Sequence, residues 1–226
     1  MKKSTEIIIV LDRSGSMSSI RKETISGFNE FLMRQKEENP DSTITMVQFN
    51  HHYYPVYRAE PTKKAAPLSD STYVTGGMTA LLDAIGKTIK SVVKRHKETK
   101  EEERPDKVLF VIITDGYENS SVKYDRKKIF KKIRKMEERY GWEFVYLGAN
   151  QDAIHEAKQY GISDKKAMTF AHDKLGMEDA FMSISKQSIA YCVKNHDFAF
   201  DEEDRKKHKR DPKDHSSGTI FDINPQ

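Results

Sequence analysis

The sequence contains very little cysteine and no long apolar run. Its 226 residues include one cysteine, Cys192, so no disulfide can form within the chain and a reducing compartment, the cytosol, is expected. No apolar run approaches the roughly 20 residues that a membrane-spanning helix requires. The charged content of 33% and the mean hydropathy of −0.77 indicate a water-exposed globular protein. We therefore expect a cytoplasmic protein without a membrane span.

The sequence also lacks a large excess of charge of either sign. Lysine and arginine outnumber aspartate and glutamate by a formal net charge of only +4, which gives weak attraction to polyanions at most. A basic run near the C-terminus, from Arg205 to Arg210, is preceded by four acidic residues, Asp201 to Asp204, so the segment is close to self-neutralising. The sequence thus argues against a nucleic-acid partner.

Short apolar runs alternate with amphipathic segments along most of the chain. The runs predict strands, and one of them, Tyr53 to Arg58, follows its predecessor closely enough to form an antiparallel hairpin arm. The amphipathic segments repeat apolar residues with helical spacing. This alternation is typical of an α/β fold, a doubly wound, Rossmann-like open sheet that is mainly parallel, has one antiparallel edge strand and carries helices on both faces.

One domain accounts for this pattern. The periodic segments extend to Asn195, so we predict a single α/β domain over residues 1–195. Residues 196–226 have mixed charge, contain proline and glycine and show no periodicity. Such composition predicts a flexible C-terminal tail.

Polar residues follow several of the predicted strands. The first apolar run ends in "VLDRSGSM", which places Asp12, Ser14 and Ser16 just beyond the strand. The run "VLFVIITDG" likewise ends at Asp115, and "TGGMTALL" puts Thr79 near the start of a helix. Because parallel strands present their carboxyl ends at one edge of a sheet, three loops are predicted to direct oxygen atoms to one point if the strands are neighbours.

The residue types at this point favour a hard cation. Two carboxylates and three hydroxyls, with no cysteine, suit Mg²⁺, or Mn²⁺ in its place, because these ions prefer oxygen ligands in octahedral geometry. Small hydroxyl side chains leave space for the water molecules that Mg²⁺ retains. The predicted metal site consists of Asp12, Ser14, Ser16, Thr79 and Asp115.

These motifs resemble the metal-ion-dependent adhesion site of von Willebrand factor A domains. Asp-x-Ser-x-Ser follows the first strand, Gly-Gly-x-Thr precedes a helix and Thr-Asp-Gly follows a later strand, so all five ligand positions are filled. The element order fits from about Thr5 to Asn195. The segment "YLGANQDA", which begins at Tyr146, is similar to small von Willebrand A proteins of bacteria and their phages.

The resemblance implies a protein-binding module. It implies that Ser14, Ser16 and Thr79 or water molecules hold the metal, while Asp12 and Asp115 act largely through water when a ligand is bound. With neutral direct ligands the cation stays electrophilic, so a partner protein can supply an Asp or Glu carboxylate to complete the octahedron. We expect a rim of Tyr73, Met78 and Tyr117 to shield that contact from water.

An enzymatic alternative is a Mg²⁺-dependent phosphoryl-transfer reaction with Asp12 as the nucleophile. Phosphatases of the haloacid-dehalogenase type have a second aspartate two residues after the first, where this chain has Ser14. The chain also lacks a Gly-x-x-x-x-Gly-Lys-Ser/Thr loop, which excludes a P-loop nucleotidase. We therefore expect binding and not catalysis.

Overall fold

The innermost strands are buried on both faces, as their continuous apolar runs predict. Strand β1 (Thr5–Asp12) is buried along its entire length, and β4 (Lys107–Thr114) is buried at every residue after Lys107. A strand flanked by parallel neighbours and covered by helices on both sides has no solvent face, so its sequence does not alternate. The computed structural model describes residues 4–149 and 152–207.

Six strands form one sheet. Besides β1 and β4 they are β2 (Thr43–Phe49), β3 (Tyr53–Pro61), β5 (Glu143–Ala149) and β6 (Ala167–Phe170). Their order across the sheet is β3-β2-β1-β4-β5-β6. Only β3 runs antiparallel to its neighbour, at the edge of the sheet. The predicted fold class, a mainly parallel open sheet with one antiparallel edge strand, is confirmed, although β3 extends three residues beyond the predicted Arg58.

Helices cover both faces of this sheet. Helices α1 (Arg21–Glu38) and α5 (Lys174–Cys192) pack on one face, where Phe28 and Phe181 join the core beneath them. On the other face lie α2 (Leu81–Glu98), α3 (Arg126–Tyr140) and α4 (Ala153–Gln159). Alternate residues of β1 pack in the two cores. Ile7 and Ile9 lie in the core under α1 and α5, whereas Ile8 and Val10 lie in the core under α2, α3 and α4. Among the described residues, no helix combines the length and the apolar character needed to cross a bilayer.

The packed structure continues past the boundary predicted at Asn195. Phe198 and Phe200 are buried in the same core as α1 and α5, and their rings meet edge to face at 5.3 Å. A short helix, α6 (Glu202–Lys207), follows, and its buried Asp204 accepts a hydrogen bond of 2.7 Å from Gln187 of α5. Residues 196–207 therefore belong to the domain. The rest of the predicted flexible tail, residues 208–226, lies outside the described residues.

We predict that Phe198→Ala lowers the free energy of unfolding by about 3–5 kcal/mol, because it empties a buried aromatic site. Phe130→Ala is the control, since Phe130 is 42% exposed on α3 and should change stability much less. Urea denaturation of both variants measures the difference. A loss for Phe198→Ala no larger than that for the control would show that Phe198 does not stabilise the core.

Candidate metal centre

Asp12 ends β1 and its carboxylate is fully buried. The Ser14 backbone N–H donates to Asp12 Oδ1 at 2.7 Å, and the Thr114 hydroxyl donates to Oδ2 at 2.6 Å. The chain then curls into a 3₁₀ helix, Gly15–Ile20, which brings the hydroxyls of Ser14 and Ser16 within 3.2 Å of each other. Both serines thus face the same side of the loop, as their alternation predicts.

Asp115 reaches the same place from the neighbouring strand. Leu11 of β1 pairs with Ile113 of β4, so the two strands end level with each other. The Ser16 hydroxyl donates to Asp115 Oδ1 at 2.7 Å, which links the first loop directly to the second. The strand order therefore places both carboxylates at one edge of the sheet.

Thr79 belongs to a third loop, which is tied to the first through the backbone. Gly77 has a φ of +82°, in the left-handed region that favours glycine. Its carbonyl accepts the Gly15 N–H at 2.9 Å, and the Arg13 carbonyl accepts the Gly76 N–H at 2.8 Å. These two hydrogen bonds fix the Gly-Gly segment against the serine loop.

The hydroxyl of Thr79 borders the same small space as that of Ser16. A methyl group added at Gly116 would lie 3.2 Å from Thr79 Oγ1 and 3.6 Å from Ser16 Oγ. Asn119 holds the Thr79 backbone, since its Oδ1 accepts the Thr79 N–H at 2.9 Å. All five residues of the predicted metal site therefore surround one point, and Gly116 provides the open space between them.

The electrostatics of this point suit a cation. Burial raises the pKa of Asp12 to about 7, against the hydrogen bonds from Thr114 and Ser14 that lower it, and the nearby charge of Asp115 raises it further. Two carboxylates that repel each other in a buried position would both be stabilised by a divalent ion. The donor set is mostly hydroxyl, and the described chain contains no group of three or more His, Cys, Asp or Glu side chains able to hold a metal. The oxygen donors present fit Mg²⁺ or Mn²⁺.

His172 is a member of this region that the sequence did not indicate. It lies between β6 and α5, and its Nε2 is 2.8 Å from Asp115 Oδ2, while the Asp115 side chain itself is buried. Strand β6 is two positions from β4 in the sheet. No spacing in the sequence relates His172 to Asp115, because the contact depends on how the last loop folds back over the sheet edge.

A model of the von Willebrand factor type A domain matches residues 6–182, which is most of the chain. The chain belongs to the von Willebrand factor type A domain family. No curated protein sequence matches it significantly.

Solved structures share the fold of this von Willebrand A domain at low sequence identity. Proximal thread matrix protein 1 from the mussel byssus is 15% identical with a TM-score of 0.60, over 84% of this chain and 49% of that protein. The PilB minor pilin of Streptococcus sanguinis, as its D319A mutant, is 10% identical with a TM-score of 0.63, over 87% and 64%. Manganese-loaded TRAP of Plasmodium vivax is 17% identical with a TM-score of 0.55, over 81% and 74%. The chain spans about half the length of the mussel protein.

The rim of the von Willebrand A domain differs from the predicted one at Tyr73. Met78 and Tyr117 are 57% and 59% exposed, as a rim requires, but Tyr73 is fully buried. Its hydroxyl donates to the Asp12 backbone carbonyl at 2.5 Å, beneath the site. The prediction for Tyr73 was wrong because an aromatic residue in a polar loop gives no sign of which way the loop turns. Tyr73 therefore does not form part of the rim but holds the backbone of Asp12 in place.

We predict that Tyr73→Phe lowers the free energy of unfolding of the von Willebrand A domain by about 1–2 kcal/mol, because the buried Asp12 carbonyl loses its donor. Tyr117→Phe removes an exposed hydroxyl and serves as the matched control. Chemical denaturation in EDTA measures both variants without a contribution from bound metal. If Tyr73→Phe is as stable as the control, the hydrogen bond to Asp12 does not support the site.

Proposed function

We propose that the chain is a metal-dependent protein-binding module. The observation that carries this proposal is the convergence of Asp12, Ser14, Ser16, Thr79 and Asp115 from three loops onto one point. Their oxygen donors favour Mg²⁺, and Mn²⁺ is the natural substitute. The related TRAP structure is described as manganese-loaded, which supports a divalent ion in this family.

The bound ion would supply an electrophilic centre that accepts a carboxylate from the partner protein. In the family arrangement Ser14, Ser16 and Thr79 or water molecules would hold the ion, and the two aspartates would act largely through water when a ligand is bound. The charge that faces the partner is then poorly neutralised by direct ligands, which favours an Asp or Glu side chain. Apolar area on Met78 and Tyr117 would reduce the access of water to the contact.

The hydrogen bonds around Asp12 and Asp115 keep this arrangement ready for the ion. Thr114 and the Ser14 N–H each occupy one oxygen of Asp12, which fixes the plane of that carboxylate. Ser16 contacts Oδ1 of Asp115 and His172 contacts Oδ2, so the plane of the second carboxylate is fixed as well. Little reorganisation is then needed when a ligand arrives, which favours affinity.

Phosphoryl transfer with Asp12 as nucleophile has weaker support. A nucleophile must reach the phosphorus atom, whereas Asp12 is fully buried and both of its oxygens already accept hydrogen bonds. We therefore favour binding over catalysis. Hydrolysis of a generic phosphate ester that requires both Mg²⁺ and Asp12 would reverse this preference.

We predict that Mg²⁺ stabilises the wild-type fold. At a concentration one hundred times its dissociation constant, a ligand adds about 2.7 kcal/mol, which corresponds to roughly 5–10 °C in Tm for a chain of this size. Asp12→Asn should abolish this shift, while Asp70→Asn, on an exposed side chain, should retain it. Thermal melts with millimolar MgCl₂ or EDTA provide the measurement, and identical wild-type melts would contradict the metal site.

We further predict that Thr79→Val prevents partner binding without unfolding the domain. The substitution keeps the shape of the side chain and removes its oxygen, whereas Thr79→Ser keeps the oxygen and should still bind. Affinity purification in Mg²⁺ followed by elution with EDTA identifies the partner and compares the variants. The partner's Asp and Glu residues are then replaced one at a time by Asn and Gln. Equal capture by the Val and Ser variants, or no single replacement that weakens binding about tenfold, would count against direct coordination.

A further inference from the structure

Positive charge is dense on helix α3, although the net charge of the chain is only +4. Helix α3 consists largely of lysine and arginine, and its only acidic residues are Glu137 and Glu138. Helix α2 packs beside α3 on the same face of the sheet. The flanks by which these two helices adjoin each other therefore form a surface with mainly positive side chains, and the acidic Glu98 at the end of α2 pairs with Lys94.

We call this surface the cationic strip. It comprises residues at helical spacing on the adjoining flanks of the two helices: Lys90, Lys97, Lys132, Lys135 and Arg139. Lysines around the strip pair with nearby carboxylates, Lys87 with Asp83 and Lys128 with Asp125. In the described chain none of the five strip residues has a carboxylate within ion-pairing distance. The positive charge of the strip is therefore not neutralised within the chain and attracts anions from solution.

Lys132 shows that the positive charges of the strip act on one another across the two helices. Its pKa is lowered first by partial burial, and then by the charges of Lys135 on the same helix and Lys90 on α2. Its ammonium group also lies 5.5 Å from the centre of the Tyr124 ring. Repulsion between these groups would be relieved by a bound phosphate.

A cavity of about 150 Å³ opens where the strip ends, between the last turns of α2 and α3. Its walls are mainly aromatic and apolar, with Trp142, Tyr140 and His96 among them. Two cations, Lys97 and Arg104, and one carboxylate, Asp106, line it as well. Pockets for drug-sized ligands are roughly 300–1,000 Å³. Because this cavity is smaller than that range, it fits a ligand no larger than a single planar ring. The cations of the strip therefore lead along the two helices to a cavity with aromatic walls.

We propose that this face binds single-stranded nucleic acid, with phosphates along the cationic strip and one base in the aromatic cavity. Proteins that bind single strands combine a positively charged track with aromatic side chains on which bases stack. From Lys132 to Arg139 the strip extends about 10 Å along α3 at 1.5 Å per residue, which is long enough for two or three phosphates. The proposal is independent of the metal centre, which lies at the opposite ends of the strands.

Two other polyanions fit this face less well. A base of a duplex must first be unpaired and unstacked before it can enter the cavity, which costs free energy that a single strand does not pay. An anionic membrane surface is bound most firmly when apolar side chains insert beside the lysines. The exposed Phe130 of α3 lies on the far flank of that helix, where it lines a separate groove with Arg134 and Lys158.

The test uses the full chain and a labelled 20-nucleotide oligothymidylate in EDTA, which keeps the metal centre out of the reaction. Trp142 is the only tryptophan and lines the cavity, so its fluorescence reports on an entering base. We expect binding to quench this fluorescence and to weaken with salt at a slope of about −0.7 per phosphate contacted. Replacing Lys90, Lys132 and Lys135 with Gln should reduce the slope by about two and weaken binding at least tenfold at low salt.

The matched control replaces Lys64, Lys165 and Lys194 with Gln, which removes the same charge from exposed positions elsewhere. It should bind nearly as well as the wild type. Tyr140→Ala should weaken binding roughly fivefold to a hundredfold at an unchanged salt slope, and Tyr140→Phe should not. The proposal is overturned if Trp142 fluorescence stays constant at saturation, if both triple variants lose affinity equally, or if a duplex, heparin or anionic vesicles bind while the oligonucleotide does not.

Discussion

The parallel pairing of β1 with β4 is the constraint on which the candidate metal centre depends. Both strands are buried on both faces, so their register is set by how their side chains pack in the two cores. That register ends the strands level with each other, and the loops that follow carry Asp12 and Asp115. Thr114 then connects the strands through its hydrogen bond to Asp12. The packing of the hydrophobic sheet therefore holds these two carboxylates close together although they repel each other.

The two proposed binding surfaces occupy different ends of the same sheet. The metal centre lies beyond the carboxyl ends of β1 and β4, whereas the aromatic cavity is lined by Val108, at the start of β4, and by Trp142, just before β5. Helix α2 contributes to both, because Thr79 precedes its first turn and Lys97 lies in its last. The two proposed binding surfaces are therefore separate.

Much of the fold and the position of the candidate metal centre could be predicted from the sequence. Continuous apolar runs identify buried strands, and the polar residues after β1 and β4 fall at one edge for every parallel sheet in which those strands are neighbours. His172 and Tyr73 escaped prediction because their roles depend on the path of a loop, which periodicity does not encode. Phe198 and Phe200 lie in a segment rich in charge, where two aromatic residues form no recognisable period. The net charge did not reveal the cationic strip, because it sums positive and negative residues over the entire chain and carries no information on where they lie.

Crystals grown with Mn²⁺ would test the central claim most directly, because anomalous scattering locates the ion without assumptions about its ligands. The account predicts one strong anomalous peak bordered by the hydroxyls of Ser14, Ser16 and Thr79, with Asp12 and Asp115 close enough to contact it directly or through water. The same peak should be missing from crystals of Asp12→Asn. A wild-type protein at millimolar Mn²⁺ with no peak at this point, or with its only peak elsewhere, would contradict the account.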